Sequence, residues 1–421
     1  MTEAFLYHIW KFRLFNQQDL ITTDGQPLQI LKTGTRNDDS GPDFFNSRIK
    51  AGDTEWAGNV EIDVTSAEWY LHGHDKNDAF SKIILHVVYE VTRPLHHNFP
   101  VLELKNYLDK NLIGRYYNLQ QSTNNIPCKN QLPDINSITL NSWLERLLIE
   151  RAEEKSRVIE IALKENKHDW EITFYQFLAR NFGFKTNALP FEMLAKNLPL
   201  SALAKQKDNL TQVEALLFGQ AGFLEEESDG IYFNQLKTEY RFLEQKYSLS
   251  PLQKSIWKFA RLHPVNFPTV RLAQFASLIY KSSHLFSKII ETENTKDLLH
   301  LFDISPSDYW LTHYHFEKVS DKKSKSLGQS SAENILINTV VPFLFVYGKL
   351  KKNDIFRERA LSLLEKIKPE NNIIIRDWKV AGIKAEHAWH SQALIQLRNN
   401  YCNEKQCLNC AIGLKILKTN E

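Results

Sequence analysis

A run of six residues narrows what this chain can fold into: Ile83-Ile84-Leu85-His86-Val87-Val88 is almost continuously apolar and β-branched. Such a run fits a central strand covered on both faces. Upstream, Val60, Ile62 and Val64 alternate with Glu61 and Asp63. That period of two predicts a neighbouring strand that buries its aliphatic residues and turns both carboxylates to the opposite face. Asp43 follows a Gly-Pro turn, and His72, Gly73, His74 and Asp75 lie between the two strands. So many metal-capable side chains in so short a span point to chemistry as well as folding.

The flanking pattern supplies the rest of a sheet. Thr2–Phe15 reads as a helix with Thr2 as its cap and Phe5, Leu6, Ile9 and Phe12 on one face. Strands are expected over Leu28–Lys32, Asp43–Lys50, Trp56–Val64 and Lys82–Val91, with Val101–Leu104 as an edge strand. Ser66–Phe80 is a helix, or a helix interrupted at Gly73. A loop is expected over 94–100, and Tyr107–Gln131, rich in Asn and Gln, reads as connecting structure. From Asn136 onward the pattern is helical. Ile138–Leu163 is the longest helix, and shorter ones are expected near Trp170–Phe182, Phe191–Asn197, Gln212–Gly219, Tyr232–Lys246, Pro251–Ala260 and Val270–Ser282. Others follow near Thr295–Phe302, Ala332–Lys351, Ile355–Glu365 and Ala385–Tyr401. The polar run Ser320–Ser331, with three lysines among serines, is expected to be a mobile loop. The expected architecture is an α/β head with a mixed sheet over residues 1–110, followed by a large all-α region over 111–421.

Charge is unevenly spread. Residues 1–110 carry 11 basic and 16 acidic side chains, a net of −5, while the remainder carries 41 and 34, a net of +7. An acidic head on a basic body fits a metal-binding domain beside a polyanion-binding one, and equally fits drift in a near-neutral chain. No apolar run is long enough to span a bilayer. The N-terminus lacks a basic region and a small-residue cleavage site, so a cytoplasmic protein is expected.

Two constellations carry chemistry. In the head, Asp43 and Glu61 on neighbouring strands make a hard oxygen site suited to Mg²⁺ or Mn²⁺. Asp63 and the histidines His72, His74 and His86 extend it and shift the preference toward Mn²⁺, Zn²⁺ or iron. Two residues apart, His72 and His74 share a face only outside a helix. The alternatives are a turn held by His72 and His74, a satisfied core histidine at 86, and a buried ion pair at each carboxylate. The second constellation comprises all four cysteines, Cys128, Cys402, Cys407 and Cys410. The last three read C-x4-C-x2-C, and Cys128 would complete a four-thiolate site for Zn²⁺ or an iron–sulfur cluster. Such a site would fold the segment around Cys128 against the C-terminal residues. Free thiols at a helix end are the alternative. Elsewhere, His313 and His315 sit in an aromatic stretch. Arg180, Lys185, Arg261, Arg271 and Lys349 lie among aromatics in a mixture that suits single-stranded or structured RNA. There is no P-loop, dinucleotide fingerprint or nucleophile elbow.

The order helix, three strands, helix, strand resembles the PD-(D/E)XK nuclease superfamily, whose restriction-endonuclease-like core has acidic residues at the same two strand positions. Pro42-Asp43 matches the "PD", and Glu61-Ile62-Asp63 matches the "(D/E)XK", with Asp63 standing where the superfamily has lysine. The resemblance implies that Asp43 and Glu61 hold an ion and Asp63 assists. Lys76, on the following helix, would orient the attacking water in place of the missing lysine, and Glu3 matches a further acidic position of some members. The chain also resembles an uncharacterised bacterial domain family through Ser40–Phe44, Trp56–Ile62, Trp69, His72-Gly73-His74 and Ile84–Val88; that family brings no activity with it. The function expected is metal-dependent phosphodiester hydrolysis of DNA or RNA. The alternatives are a non-catalytic nucleic-acid-binding or scaffold protein that keeps the nuclease fold, and a hydrolase with a His/Asp metal centre acting on a small substrate.

Overall fold

The computed structural model describes residues 1–95, 98–282, 284–316 and 318–418. The loop expected over 94–100 therefore lies partly outside the described residues. The chain divides into two compact units. The first comprises Met1–Trp143, Val380–Gly382 and Leu397–Glu421; the second comprises Leu144–Lys379 and Ile383–Gln396.

The first unit opens with α1 (Glu3–Phe12). Thr2 caps it, accepting from Phe5 N at 3.3 Å, and Arg13 ends it with a left-handed backbone. Phe5, Leu6, Ile9 and Trp10 are fully buried, whereas Phe12 is 39 % exposed. The buried face is thus rotated toward Trp10 from the one expected, because the Trp10 indole N–H reaches Thr33 O at 3.0 Å. Phe5 stacks on Tyr116 with ring centroids 3.8 Å apart.

Six strands follow: β1 (Leu28–Lys32), β2 (Thr35–Arg36), β3 (Phe44–Ala51), β4 (Thr54–Thr65), β5 (Ile83–Glu90) and β6 (Val101–Glu103). They form one mixed sheet in the order β1-β3-β4-β5-β6, with β2 paired to β3 off that path. The β1/β3 and β3/β4 pairs are antiparallel; β4/β5 and β5/β6 are parallel. A parallel pair needs a crossover. Here it is α2 (Glu68–Leu71) and two 3₁₀ turns, His74–Lys76 and Asp78–Phe80. Gly73, at φ +70°, breaks the expected helix between His72 and His74. β5 is buried from Ile83 to Val88, including His86, as a strand covered on both faces must be.

At Gly58 in β4 an added Cβ would sit 2.4 Å from Ile84 Cγ2 and 2.6 Å from Lys82 O. Only glycine lets the start of β5 approach so closely. The stretch expected to be mere connection contains α3 (Lys110–Gln121), capped by Asp109 and burying Leu112, Tyr116 and Leu119. Polar residues on its outer face conceal this helix from composition alone.

α4 (Ser137–Glu165) begins in the first unit and continues into the second. The second unit is helical: α5 (Trp170–Phe182), α6 (Ala188–Asn197), α7 (Leu200–Gln206), α8 (Leu210–Gln220), α9 (Ile231–Tyr247), α10 (Pro268–Lys281), α11 (Leu285–Glu291) and α12 (Thr295–His300). A small hairpin, β7 (His313–His315) and β8 (Lys318–Val319), precedes α13 (Gln329–Ile335), α14 (Val341–Lys351), α15 (Asp354–Lys366), α16 (Ile373–Val380) and α17 (Ala388–Gln396). α18 (Ala411–Lys418) belongs to the first unit. An α/β head and a mainly helical remainder are both present. Pro251–Ala260 is not the expected α-helix; it holds only the 3₁₀ turn Lys254–Ile256, with Trp257 turned inward to donate to Ala221 O at 2.8 Å.

The polar run Ser320–Ser331 is anchored where a loose loop was expected. Lys325 is 2 % exposed and donates to Trp310 O at 2.6 Å and Leu311 O at 2.9 Å. Its ammonium also lies 4.1 Å from the Tyr314 ring centre. Two carbonyls and an aromatic face replace the water it gives up.

The tight β4/β5 approach generates a prediction. Gly58→Ala should destabilise the fold by about 1–3 kcal/mol, the cost of overpacking a filled site. A denaturant midpoint equal to that of the parent would show that the strands can part there without cost.

Candidate metal centre

β4 is the floor of the site. Alternation turns Val60 and Ile62 to one face and Glu61 and Asp63 to the other, and all four are buried. The parallel register sets His86 beside Glu61 and Val88 beside Asp63, so His86 joins the carboxylate face. α1 lies along β4 and brings Glu3 and Tyr7 to it. Gly73 swings the chain so that His72 and His74 both return to the same two carboxylates.

Asp63 is the common member. Its Oδ2 is 2.9 Å from His86 Nε2, and its Oδ1 is 3.5 Å from His72 Nδ1. Since a carboxylate only accepts, a neutral His86 must carry its proton on Nε2. Glu61 Oε1 is 3.4 Å from His74 Nδ1, and Glu61 Oε2 accepts from Asp43 N at 3.1 Å. Two sets of donor atoms lie within 4.8 Å of one another, Glu61–Asp63–His74 and Glu3–Asp63–His72. His86 belongs to neither; it is fully buried under Trp69 and orients Asp63. His74 is held by its ring, stacked on Phe80 at 4.1 Å and edge-on to Trp69 at 5.3 Å.

Asp43 adjoins the cluster but is already engaged. Oδ1 accepts from Arg36 Nη1 at 3.0 Å and Oδ2 from Ile62 N at 2.9 Å. The Tyr7 hydroxyl donates to Glu3 Oε2 at 3.1 Å and lies close enough to Asp43 for each to shift the other's pKa. A bulge in β3 between Phe44 and Ser47 leaves Asp43 beside the Ile62 amide. Asp43 therefore carries the basic partner of an ion pair, whereas Glu61 meets the Asp43 amide and His74. Lys76 is exposed on its 3₁₀ turn, and among the described residues no ion pair joins it to the cluster.

Burial dominates the electrostatics. It raises the Glu61 carboxyl far above its ordinary range, and the charges of Asp43 and Asp63 raise it further. Burial also raises Asp43, despite the opposing pull of the Ile62 amide and Arg36. The Tyr7 hydroxyl is pushed up by burial and by Asp43, and the His74 imidazole is pushed down by burial. Four carboxylates thus face one another, and Arg36 is the one lysine or arginine ion-paired with them among the described residues. A bound cation would relieve this repulsion. Each donor set fits such an ion with two carboxylates and one histidine, and His72 lies at the open side, its side chain 41 % exposed. The mixture of oxygen and imidazole suits Mn²⁺ or Zn²⁺ better than Mg²⁺.

Arg36 and Tyr7 escaped the sequence reading. Tyr7 carried a faint signal, four residues after Glu3 on one helix face; Arg36 carried none. The other candidates lie elsewhere. His313 stacks on Tyr309 at 3.9 Å, and His315 sits between Phe259 and Phe267, all within an aromatic core. Arg180 pairs with Glu192, and Lys349 with Glu153 and Glu160. Arg271 is buried on Gln274 and Asn266 with its guanidinium over Phe184. Those three cations are consumed within the fold.

The cysteines do converge. Cys128, Cys402, Cys407 and Cys410 are all buried in the first unit as free thiols. Cys402 lies within electrostatic reach of the other three, and Cys128 of Cys407 and Cys410.

A mixed sheet whose central strand presents buried carboxylates to a broken crossover is the class of domain this geometry defines. The chain belongs to the DUF2851 family, described as a protein of unknown function, whose model matches residues 3–373. No curated protein and no solved structure matches it.

A pH dependence follows from the raised Glu61 carboxyl. A group whose folded pKa exceeds its unfolded value of 4.5 holds its proton more tightly in the fold. Its contribution is favourable at low pH and is lost as pH rises above the unfolded value. Glu61→Gln should therefore raise the melting temperature of metal-free protein at pH 8, by about 2–4 °C per kcal/mol relieved. Mn²⁺ should stabilise the parent and not the variant. A variant that melts lower than the parent without metal would refute the repulsion argument.

Proposed function

We propose that this chain is a metal-dependent phosphodiesterase acting on DNA or RNA, with its centre at Glu61, Asp63 and His74. The observation that supports this best is the pair of ligand sets sharing Asp63, in a cluster of carboxylates of which Asp43 alone has a lysine or arginine partner among the described residues. The substrate class rests on the resemblance of Pro42-Asp43 and Glu61-Ile62-Asp63 to the nuclease motif. A divalent ion in this site would neutralise phosphate charge and lower the pKa of a coordinated water. Asp63 is fixed for this role by His86, and Glu61 by the Asp43 amide. His74 is clamped by Phe80 and Trp69. Arg36 positions Asp43, which holds the start of β3 against β4 through the Ile62 amide. His72, at the mouth and 3.5 Å from Asp63, is the side chain able to take a proton from water where the superfamily uses lysine.

The second reading is a nucleic-acid-binding or scaffold protein without catalysis. It is favoured by one observation: the lysine position holds Asp63, already bonded to His86.

Purified protein should cleave labelled DNA or RNA oligonucleotides with Mn²⁺ and not with excess chelator. Glu61→Ala should abolish cleavage. His72→Ala should slow it by about 10²–10⁴-fold, the usual contribution of a general base. Substrate affinity should stay within a few-fold in both variants. Equal residual cleavage by parent and Glu61→Ala would point to contamination and leave the binding role.

A further inference from the structure

Three cysteines within nine residues and one far upstream share a buried pocket in the first unit. All four are at most 9 % exposed. Buried sulfur alone is unremarkable chemically, since free cysteine packs well in cores. Here, however, the backbone is arranged around the sulfurs. The chain reaches Cys402 through a π-helical turn, Leu397–Cys402. It then reverses at Lys405, at φ +52°, and passes Cys407 and Cys410 in a 3₁₀ turn before entering α18. The Ile412 and Gly413 amides and the Trp143 indole lie beside Cys410, close enough to oppose the rise that burial gives its thiol. Gly413 is required there, because a Cβ would lie 2.2 Å from Cys407 O.

The upstream segment is tied to this loop from both sides. Lys405 Nζ donates to Gln120 O at 3.1 Å and also to Ser122 O, and Gln120 Nε2 donates back to Lys405 O at 3.1 Å. Trp143 meets Tyr401 edge-on at 5.3 Å.

We propose that Cys128, Cys402, Cys407 and Cys410 hold a structural iron–sulfur cluster. The donor set is four soft sulfurs, which selects thiolate-binding metals over hard cations. Spacing then separates zinc from a cluster. Four sulfurs on one zinc stand about 3.8 Å apart, from Zn–S bonds of about 2.3 Å in a tetrahedron. Among the described residues, the ligand groups whose donors lie within 4.8 Å of one another do not include the cysteines. The C-x4-C-x2-C run of Cys402, Cys407 and Cys410 matches a ferredoxin-type ligand run, in which the thiolates bind separate irons of one cluster. Amide and indole donors to sulfur are the contacts that stabilise such a centre and set its potential. Four protein ligands leave no open position, so the centre is a fastener between Cys128 and the 402–410 loop. It is independent of the site on β4.

The test is metal and sulfide analysis of the full chain purified without oxygen. The expected result is coloured protein with about four iron and four sulfide per chain, bleached by dithionite. Cys128→Ser should lose at least fivefold in both contents while circular dichroism stays helical. Trp143→Phe should keep its iron and shift the reduction potential downward, a change that packing alone would not produce. Colourless protein with one zinc per chain would overturn the cluster, as would metal-free protein with four titratable thiols. Full iron and sulfide in Cys128→Ser would overturn the four-cysteine ligand set. Should Cys128→Ser fail to fold, the parent's metal content and the Trp143→Phe potential decide the question.

Discussion

Carboxylates that share a dry pocket repel one another, and the first unit is arranged around that repulsion. Glu61 and Asp63 must face the same way because they are two apart on one strand. Their strand is central, so they cannot reach water by a change of rotamer alone. Each neighbouring element then contributes something that tolerates or offsets the charge. The residue entering β3 offers the Asp43 amide, β2 supplies Arg36, β5 supplies His86, and the broken crossover returns two imidazoles. Such an arrangement costs stability unless a positive ion completes it. Each of these elements thus places a polar group against the buried charges, which a plain hydrophobic core would not need.

The fit between sequence and structure is uneven in an instructive way. β4 and β5 were legible because alternation and continuous burial are local properties of a strand. Gly73 was legible as an interruption, since glycine readily adopts a left-handed backbone. Arg36 was not legible: it reaches Asp43 only because β2 folds back on β3, a tertiary fact with no periodic trace. The weight placed on Asp43 illustrates the same limit. Its motif position drew attention, yet the surrounding bonds engage both of its oxygens, and the ligand groupings centre on Asp63. α3 was missed because only three of its side chains are buried, and Lys325 because burial of a lysine depends on carbonyls supplied by Trp310 and Leu311.

The helical unit shows how basic residues mislead when counted without their partners. Arg180, Arg271 and Lys349 make the body look cationic in sequence, yet each is satisfied by neighbours within the fold. Burial of Arg271 lowers its pKa to about 10, still far above neutrality, so it stays charged while facing inward. Net charge therefore says little about which surface could meet a polyanion.

The position of Cys128 bears on how the protein is made. The other three cysteines begin at Cys402, 274 positions later. At about 5–20 residues per second, a ribosome needs roughly 14–55 s to cover that distance. Throughout that interval the head can form its sheet, but Cys128 waits as an unpartnered nucleophile. The intervening chain includes the whole of the second unit. Oxidation during translation would therefore meet Cys128 first, before the other three cysteines have emerged.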